Sequence, residues 1–139
     1  MVRAVIDSSV WVAGLLSDRG SSHEVLLRGL KGEFDLISSP DIVSEVVRAV
    51  EKLDILHKVR QPGDEGLLIE LLLSKSREVS LDIKAVRDPH DDIILACALE
   101  HGADYLVSLD KDFTDMGSYE ALKIMRPGEF LKILKEEHL

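Results

Sequence analysis

The stretch Val2-Arg3-Ala4-Val5-Ile6-Asp7-Ser8-Ser9-Val10 runs from apolar, β-branched residues into an acid and two serines. Val2 to Ile6 reads as a short buried strand. Ser8 or Ser9 then suits the cap of a helix continuing through Leu16. A strand that ends on a carboxylate at its junction with a helix has a specific meaning in a parallel α/β sheet. The carboxyl ends of such strands share one rim, and ligands bind there.

The same alternation continues along the chain. Gly20-Ser21-Ser22 breaks the first helix, and Val25-Leu26-Leu27 with Leu30 forms the stripe of a second. Phe34-Asp35-Leu36-Ile37 predicts a strand, and Ser39-Pro40 a helix start, with Ser as cap and Pro at the first position. Pro62-Gly63 separates two helical stretches, about 54–60 and 64–77. Val79 to Leu81 is expected as a third strand. Asp88-Pro89 opens a helix running to His101, and Gly102 stands just beyond its end. Tyr105-Leu106-Val107 is the fourth strand, Leu122 to Met125 the fifth, and Gly128 to Glu137 the last helix. Alternating strands and helices imply βαβ units. The fold class is therefore α/β, with a mostly parallel sheet of roughly five strands covered on both faces. Right-handed crossovers place the first and fourth strands side by side. No internal repeat, low-complexity tract or linker interrupts residues 1–139, which are expected to form a single domain.

At 139 residues and 45% hydrophobic content the chain can bury one core. No apolar run approaches the roughly 18–20 residues of a membrane span, and the start is too short for a signal peptide. Cys97 is the only cysteine, which excludes internal disulfides and cysteine-rich zinc sites and fits a reducing cytoplasm. In a helix beside Leu95, Ala96 and Ala98 it reads as packing. Asparagine is absent, Gln61 is the only glutamine, and 31% of residues are charged, a bias resembling that of heat-adapted proteins. The formal charge of −9 opposes broad electrostatic capture of nucleic acid.

Four acidic positions stand out. Asp7 closes the first strand, although a plain helix cap would use the same residue. Glu45 shares a helical face with Ile42, Val46 and Ala49, where an ionised side chain needs a cation or a donor; pairing with Arg48 is the plainer reading. Asp91 shares a face with Ile94, Leu95 and Ala98, although a first-turn acid also complements the helix dipole, and Asp92 is a rival. His90 reads as a solvated turn residue. Asp110 follows the fourth strand, with Asp112 equally able to serve. Carboxylates about 4 Å apart repel by about 4 kcal/mol at an effective dielectric near 20. A cluster of four is sustained by protonation or by a hard divalent cation, and Mg²⁺ or Mn²⁺ is the natural oxygen-liganded partner. Ser108 is placed to hydrogen-bond a neighbouring carboxylate.

With these residues in place, the chain resembles the PIN-domain ribonucleases, the family of VapC-type toxins. Asp7-Ser8-Ser9-Val10 is similar to the family's opening Asp-Thr-Asn/Ser block, and Ser39-Pro40 through Glu45 to its second. Asp88-Pro89-His90-Asp91-Asp92, counted back from Ala98, makes Asp91 the matching acid. Tyr105 through Phe113 resembles Leu-Val-Thr-x-Asp-x-Asp-Phe/Leu, with Ser108 in place of Thr. Pro127-Gly128-Glu129-Phe130-Leu131 is similar to a closing Pro-x-x-Phe-Leu found in many members.

The resemblance implies a three-layer α/β/α sandwich and an RNA-cleaving enzyme with one or two Mg²⁺ or Mn²⁺ ions. Asp7, Glu45, Asp91 and Asp110 would hold the metal, with Asp112 as a fifth carboxylate and Ser8, Ser108 and Asp92 in support. It implies a homodimer or higher homo-oligomer and an antitoxin protein as partner. Substrate grip would fall to Arg48, Lys52, Arg87 and Lys111, each of which also reads as ordinary surface solvation. Two rival classes remain. A phosphotransfer enzyme of haloacid type needs Asp-x-Asp, where this chain has Asp7-Ser8-Ser9. A non-catalytic acidic interaction module would keep the cluster as a scaffold or as a docking surface for a basic partner.

Overall fold

The structure, a computed structural model, describes residues 1–52, 64–85 and 88–137. In its sheet β1 (Arg3–Ile6) is flanked in parallel by β2 (Asp35–Ile37) and β3 (Tyr105–Val107). β5 (Leu122–Met125) pairs in parallel with β3, and β4 (Ser118–Tyr119) pairs antiparallel with β5 at the edge. The sheet order is β2-β1-β3-β5-β4. The pairs Ile6–Val107 and Val107–Met125 bring the ends of three strands to one level.

Successive strand side chains point to opposite faces, and Ala4, Val5 and Ile6 are all fully buried. Both faces of the sheet are therefore covered, the condition a parallel sheet requires. The covering helices are α1 (Ser8–Leu16), α2 (Ser21–Leu30), α3 (Pro40–Lys52), α4 (Asp64–Ser74), α5 (Pro89–Glu100), α6 (Lys111–Thr114) and α7 (Pro127–Glu137). α5 packs on β1 and β3 and touches α3, whereas α2 lies between α1 and α7. Phe130 on α7 meets Phe34 edge-on at 4.9 Å between ring centres, an arrangement favoured by the ring quadrupole. α1 and α2 approach closely at Gly14, where an added Cβ would lie 2.5 Å from Leu26 Cδ1.

Most predicted elements are present. Ser39 caps α3 through its hydroxyl, which accepts the Ile42 N–H at 3.2 Å. Asp88 caps α5, its carboxylate accepting the His90 N–H at 2.9 Å, and Gly102 takes the left-handed conformation (φ 67°) just past its end. Two expectations need correction. Val79 to Leu81 forms no strand, because side chains at the end of α5 bind the backbone at and just before this segment instead. The Ser80 N–H donates to the Glu100 carboxylate at 3.0 Å, and His101 Nε2 lies 2.8 Å from the Glu78 carbonyl. The additional strand is β4, joined to β5 by a tight turn in which Glu120 has φ 55°. The second helical stretch ends at Ser74, short of Arg77, because Lys75 and Arg77 bond with Ser38 beside the sheet. The expected stretch 54–60 lies outside the described residues.

Candidate metal centre

β1 and β3 deliver the site. Asp7 follows β1 directly, and its N–H donates to the Val107 carbonyl at 3.0 Å, which locks it beside the end of β3. Its carboxylate makes no capping bond to α1. Asp7 Oδ2 instead accepts two hydroxyls, Ser9 Oγ and Ser108 Oγ, each at 2.8 Å. Ser9 Oγ also accepts the Leu109 N–H at 3.0 Å, and Ser108 Oγ the Asp110 N–H at 3.0 Å. Two buried or half-buried serines thus stitch the loop after β3 to the loop after β1. Ser108 fits its expected supporting place. Ser9 is a member of this network that the sequence reading assigned only to helix capping.

Glu45 reaches the same rim from α3. Ile42 and Val46 beside it are buried, while Glu45 itself is half-buried. Ser8 Oγ donates to Glu45 Oε2 at 2.8 Å, and His90 Nε2 contacts Glu45 Oε1. Pairing with Arg48 is not observed. His90 accordingly belongs to α5 and to this site, and its reading as a solvated turn residue is corrected.

Asp91 is buried at the start of α5, with Ile94, Leu95 and Ala98 buried along the same helix. Asp88 performs the capping, so Asp91 keeps its carboxylate for the rim. Asp7, Ser8, Ser9, Glu45, Asp91 and Asp110 line a cleft of about 450 Å³, whose apolar wall includes Val12, Ala13 and Leu16. Asp91, Asp110 and the exposed Asp112 each offer one oxygen, and the three atoms lie within 4.8 Å of one another. Asp110 Oδ1 also accepts the Asp112 N–H at 2.9 Å, which fixes the turn carrying both acids.

The electrostatics match this crowding. Burial, then the charges of Asp110, Asp88, Asp7 and Asp112, push the Asp91 carboxyl up to about 6. Burial also raises Glu45, opposed by the Ser8 hydroxyl and by His90 and reinforced by Asp7. Such groups give up protons reluctantly until a cation arrives. An all-oxygen set of converging carboxylates fits a hard divalent ion of the Mg²⁺ or Mn²⁺ type.

The remaining candidates are distributed differently. Asp92 is buried but serves elsewhere, correcting its place beside the acid cluster: its Oδ1 accepts the Ala85 N–H at 2.8 Å, and it lines a separate groove with Ile83 and Pro89. Arg48, Lys52 and Lys111 are exposed and do not line the cleft. Arg87 lies outside the described residues. Cys97 is fully buried, and burial pushes its thiol up to about 12, in keeping with packing. Among the described residues, no helix is long and apolar enough to cross a membrane.

No curated protein matches the chain. The family model of the PIN domain, a group whose members are generally nucleases and usually use divalent metals, matches residues 3–112. That span contains β1, β3 and all five carboxylates of the rim. The match spans well over half of the chain, which belongs to the PIN-domain family.

Proposed function

We propose that the chain is a divalent-metal-dependent ribonuclease that hydrolyses RNA phosphodiester bonds, leaving a 5′-phosphate and a 3′-hydroxyl. The observation that carries this reading is the convergence of oxygens from Asp91, Asp110 and Asp112 within 4.8 Å, beside Asp7 and Glu45. Asp7, Glu45, Asp91 and Asp110 hold the ion, with Asp112 at the open edge. Bound there, Mg²⁺ or Mn²⁺ supplies activation of water and stabilisation of charge on a phosphoryl group. Ser9 and Ser108 keep Asp7 oriented, and Ser8 does the same for Glu45. Lys111, next to Asp110, is the cation nearest in sequence to the cluster and the first candidate for a phosphate contact.

The wider reading follows the family. A role as the toxin of a toxin–antitoxin pair, an antitoxin protein partner and a cytoplasmic setting all belong to this proposal, as does a heat-adapted source. A homodimer or higher homo-oligomer is supported by Val47 and Leu73, exposed apolar residues that flank a groove between α3 and α4. The net charge of −9 favours one alternative, a non-catalytic acidic module that docks a basic partner.

End-labelled RNA incubated with Mn²⁺ and wild type, Asp7→Asn or Asp91→Asn protein separates the two. A nuclease releases label with wild type and loses at least about a hundred-fold in rate with either variant. Equal release by all three proteins means a contaminating activity, and no release by any favours the docking module.

A further inference from the structure

Among the described residues, Glu45 is the one rim carboxylate held by a side-chain ring. Ser8 Oγ donates to its Oε2 at 2.8 Å, and the imidazole of His90 meets its Oε1 through Nε2. With both oxygens engaged, the carboxylate cannot rotate freely about its last bond. His90 is itself well anchored, since its backbone N–H is bound by the Asp88 cap at 2.9 Å. It precedes Asp91 on the same turn: the acid lines the cleft, and the ring meets Glu45 of α3 beside it.

This clamp opposes a definite force. Glu45 has a half-buried side chain on α3, and Asp7 is close enough for its charge to disfavour an ionised Glu45. Repulsion of that kind drives a long side chain outward into solvent, where it would ligate nothing. Among the described residues, the other side chains bonded to Asp7 or Glu45 are serine hydroxyls from the β1–α1 junction and from beyond β3. Among the described residues, His90 is the side chain of α5 bonded to Glu45 of α3.

We infer that His90 is a positioning residue for the metal ligand Glu45: its ring N–H and the Ser8 hydroxyl together hold the carboxylate toward the cleft before the ion binds. Nε2 carries the hydrogen, as a carboxylate acceptor requires. The inference rests on the metal-centre reading and deepens it by naming how the ligand from α3 is kept in place.

Mn²⁺ binding, followed by the loss of the free-ion electron paramagnetic resonance signal, tests it without reference to catalysis. His90→Ala weakens Mn²⁺ binding by roughly ten-fold or more, the scale set by removing an orienting partner of a metal ligand. His90→Gln, whose amide N–H reaches a similar distance, stays within about three-fold of wild type. Both variants keep the metal-free melting midpoint of wild type to within the small change expected at a part-exposed site. Unchanged binding by His90→Ala overturns the inference while leaving the metal centre intact. Tighter binding overturns it too, since the ring would then be a competitor for Oε1. Absence of saturable Mn²⁺ binding by wild type removes the metal centre and this inference with it.

Discussion

Ser108 Oγ donates to Asp7 Oδ2 at 2.8 Å across 101 positions of sequence, at the seam where β1 and β3 end side by side. The same oxygen accepts the Asp110 N–H, so one fully buried hydroxyl couples two of the acids at the rim. Removing it leaves the part-buried Asp110 N–H without its acceptor and the buried Asp7 carboxylate with one donor fewer. Ser108→Ala is expected to lower folding stability by about 1–3 kcal/mol, read from urea unfolding. Ser9 Oγ donates to the same Asp7 oxygen and lies 3.4 Å from Ser108 Oγ, so combining Ser9→Ala with Ser108→Ala should depart from additivity. An unchanged midpoint for Ser108→Ala contradicts this picture.

Asp91 makes metal-free stability depend on pH in an unusual sense. Its carboxyl sits at about 6, above the ordinary 3.8, because burial and neighbouring acids disfavour its charge. Between those values the folded state binds more protons than the unfolded chain, so stability falls as pH rises through that window. In chelator the melting midpoint of wild type should be higher near pH 5 than near pH 7. Asp91→Asn should flatten that difference and raise the midpoint near pH 7. Saturating Mn²⁺ reverses the trend, since the ion requires the deprotonated acids. A midpoint near pH 7 that is lower for Asp91→Asn than for wild type in chelator would falsify the crowding argument.

Adjacent acids on α5 are predicted to behave differently. Asp91 faces the cleft, whereas Asp92 binds the Ala85 N–H through an oxygen that asparagine retains. Asp92→Asn should hold Mn²⁺ within about two-fold of wild type, and Asp91→Asn should lose well over ten-fold. Equal losses in calorimetric titration would mean the two carboxylates share one role.

Gly14 sets the spacing of α1, the helix that begins with Ser8 and Ser9. A Cβ there would meet Leu26 Cδ1 at 2.5 Å and the Ser22 carbonyl oxygen at 3.1 Å, and Leu26 is fully buried with little freedom to yield. Gly14→Ala is expected to cost about 1–3 kcal/mol by overpacking, measured by thermal unfolding. A more stable variant would show that α1 and α2 can separate without cost.

The elements with the clearest local chemistry were the ones readable from sequence. Asp88-Pro89 and Ser39-Pro40 mark their helix starts because cap and first-turn preferences act within four residues. The strand ends at Asp7 and beyond Val107 were readable because a parallel strand buried on both faces must be a continuous apolar run. β4 was not: it has two residues, and its turn relies on Glu120 at a positive φ that no glycine or asparagine announces. Val79-Ser80-Leu81 has strand-like composition, but Glu100 at the end of α5 takes the Ser80 N–H, and His101 just beyond it takes the preceding Glu78 carbonyl.

Within the site, the acids were visible because a charge on an apolar face needs explaining. Ser9 was hidden because a serine after a strand reads as a cap, and the bond it accepts from the Leu109 N–H exists only once β3 lies beside β1. His90 was hidden for the same kind of reason. Its contact with Glu45 depends on how α3 and α5 pack, which periodicity along one helix does not encode.

The most direct measurement is a crystal of the wild-type protein soaked in Mn²⁺, with data collected at the manganese absorption edge. The account predicts an anomalous peak in the cleft, bonded to carboxylate oxygens of Asp91 and Asp110. A cleft without a peak at saturating Mn²⁺, or a peak only at surface acids away from these residues, would contradict it.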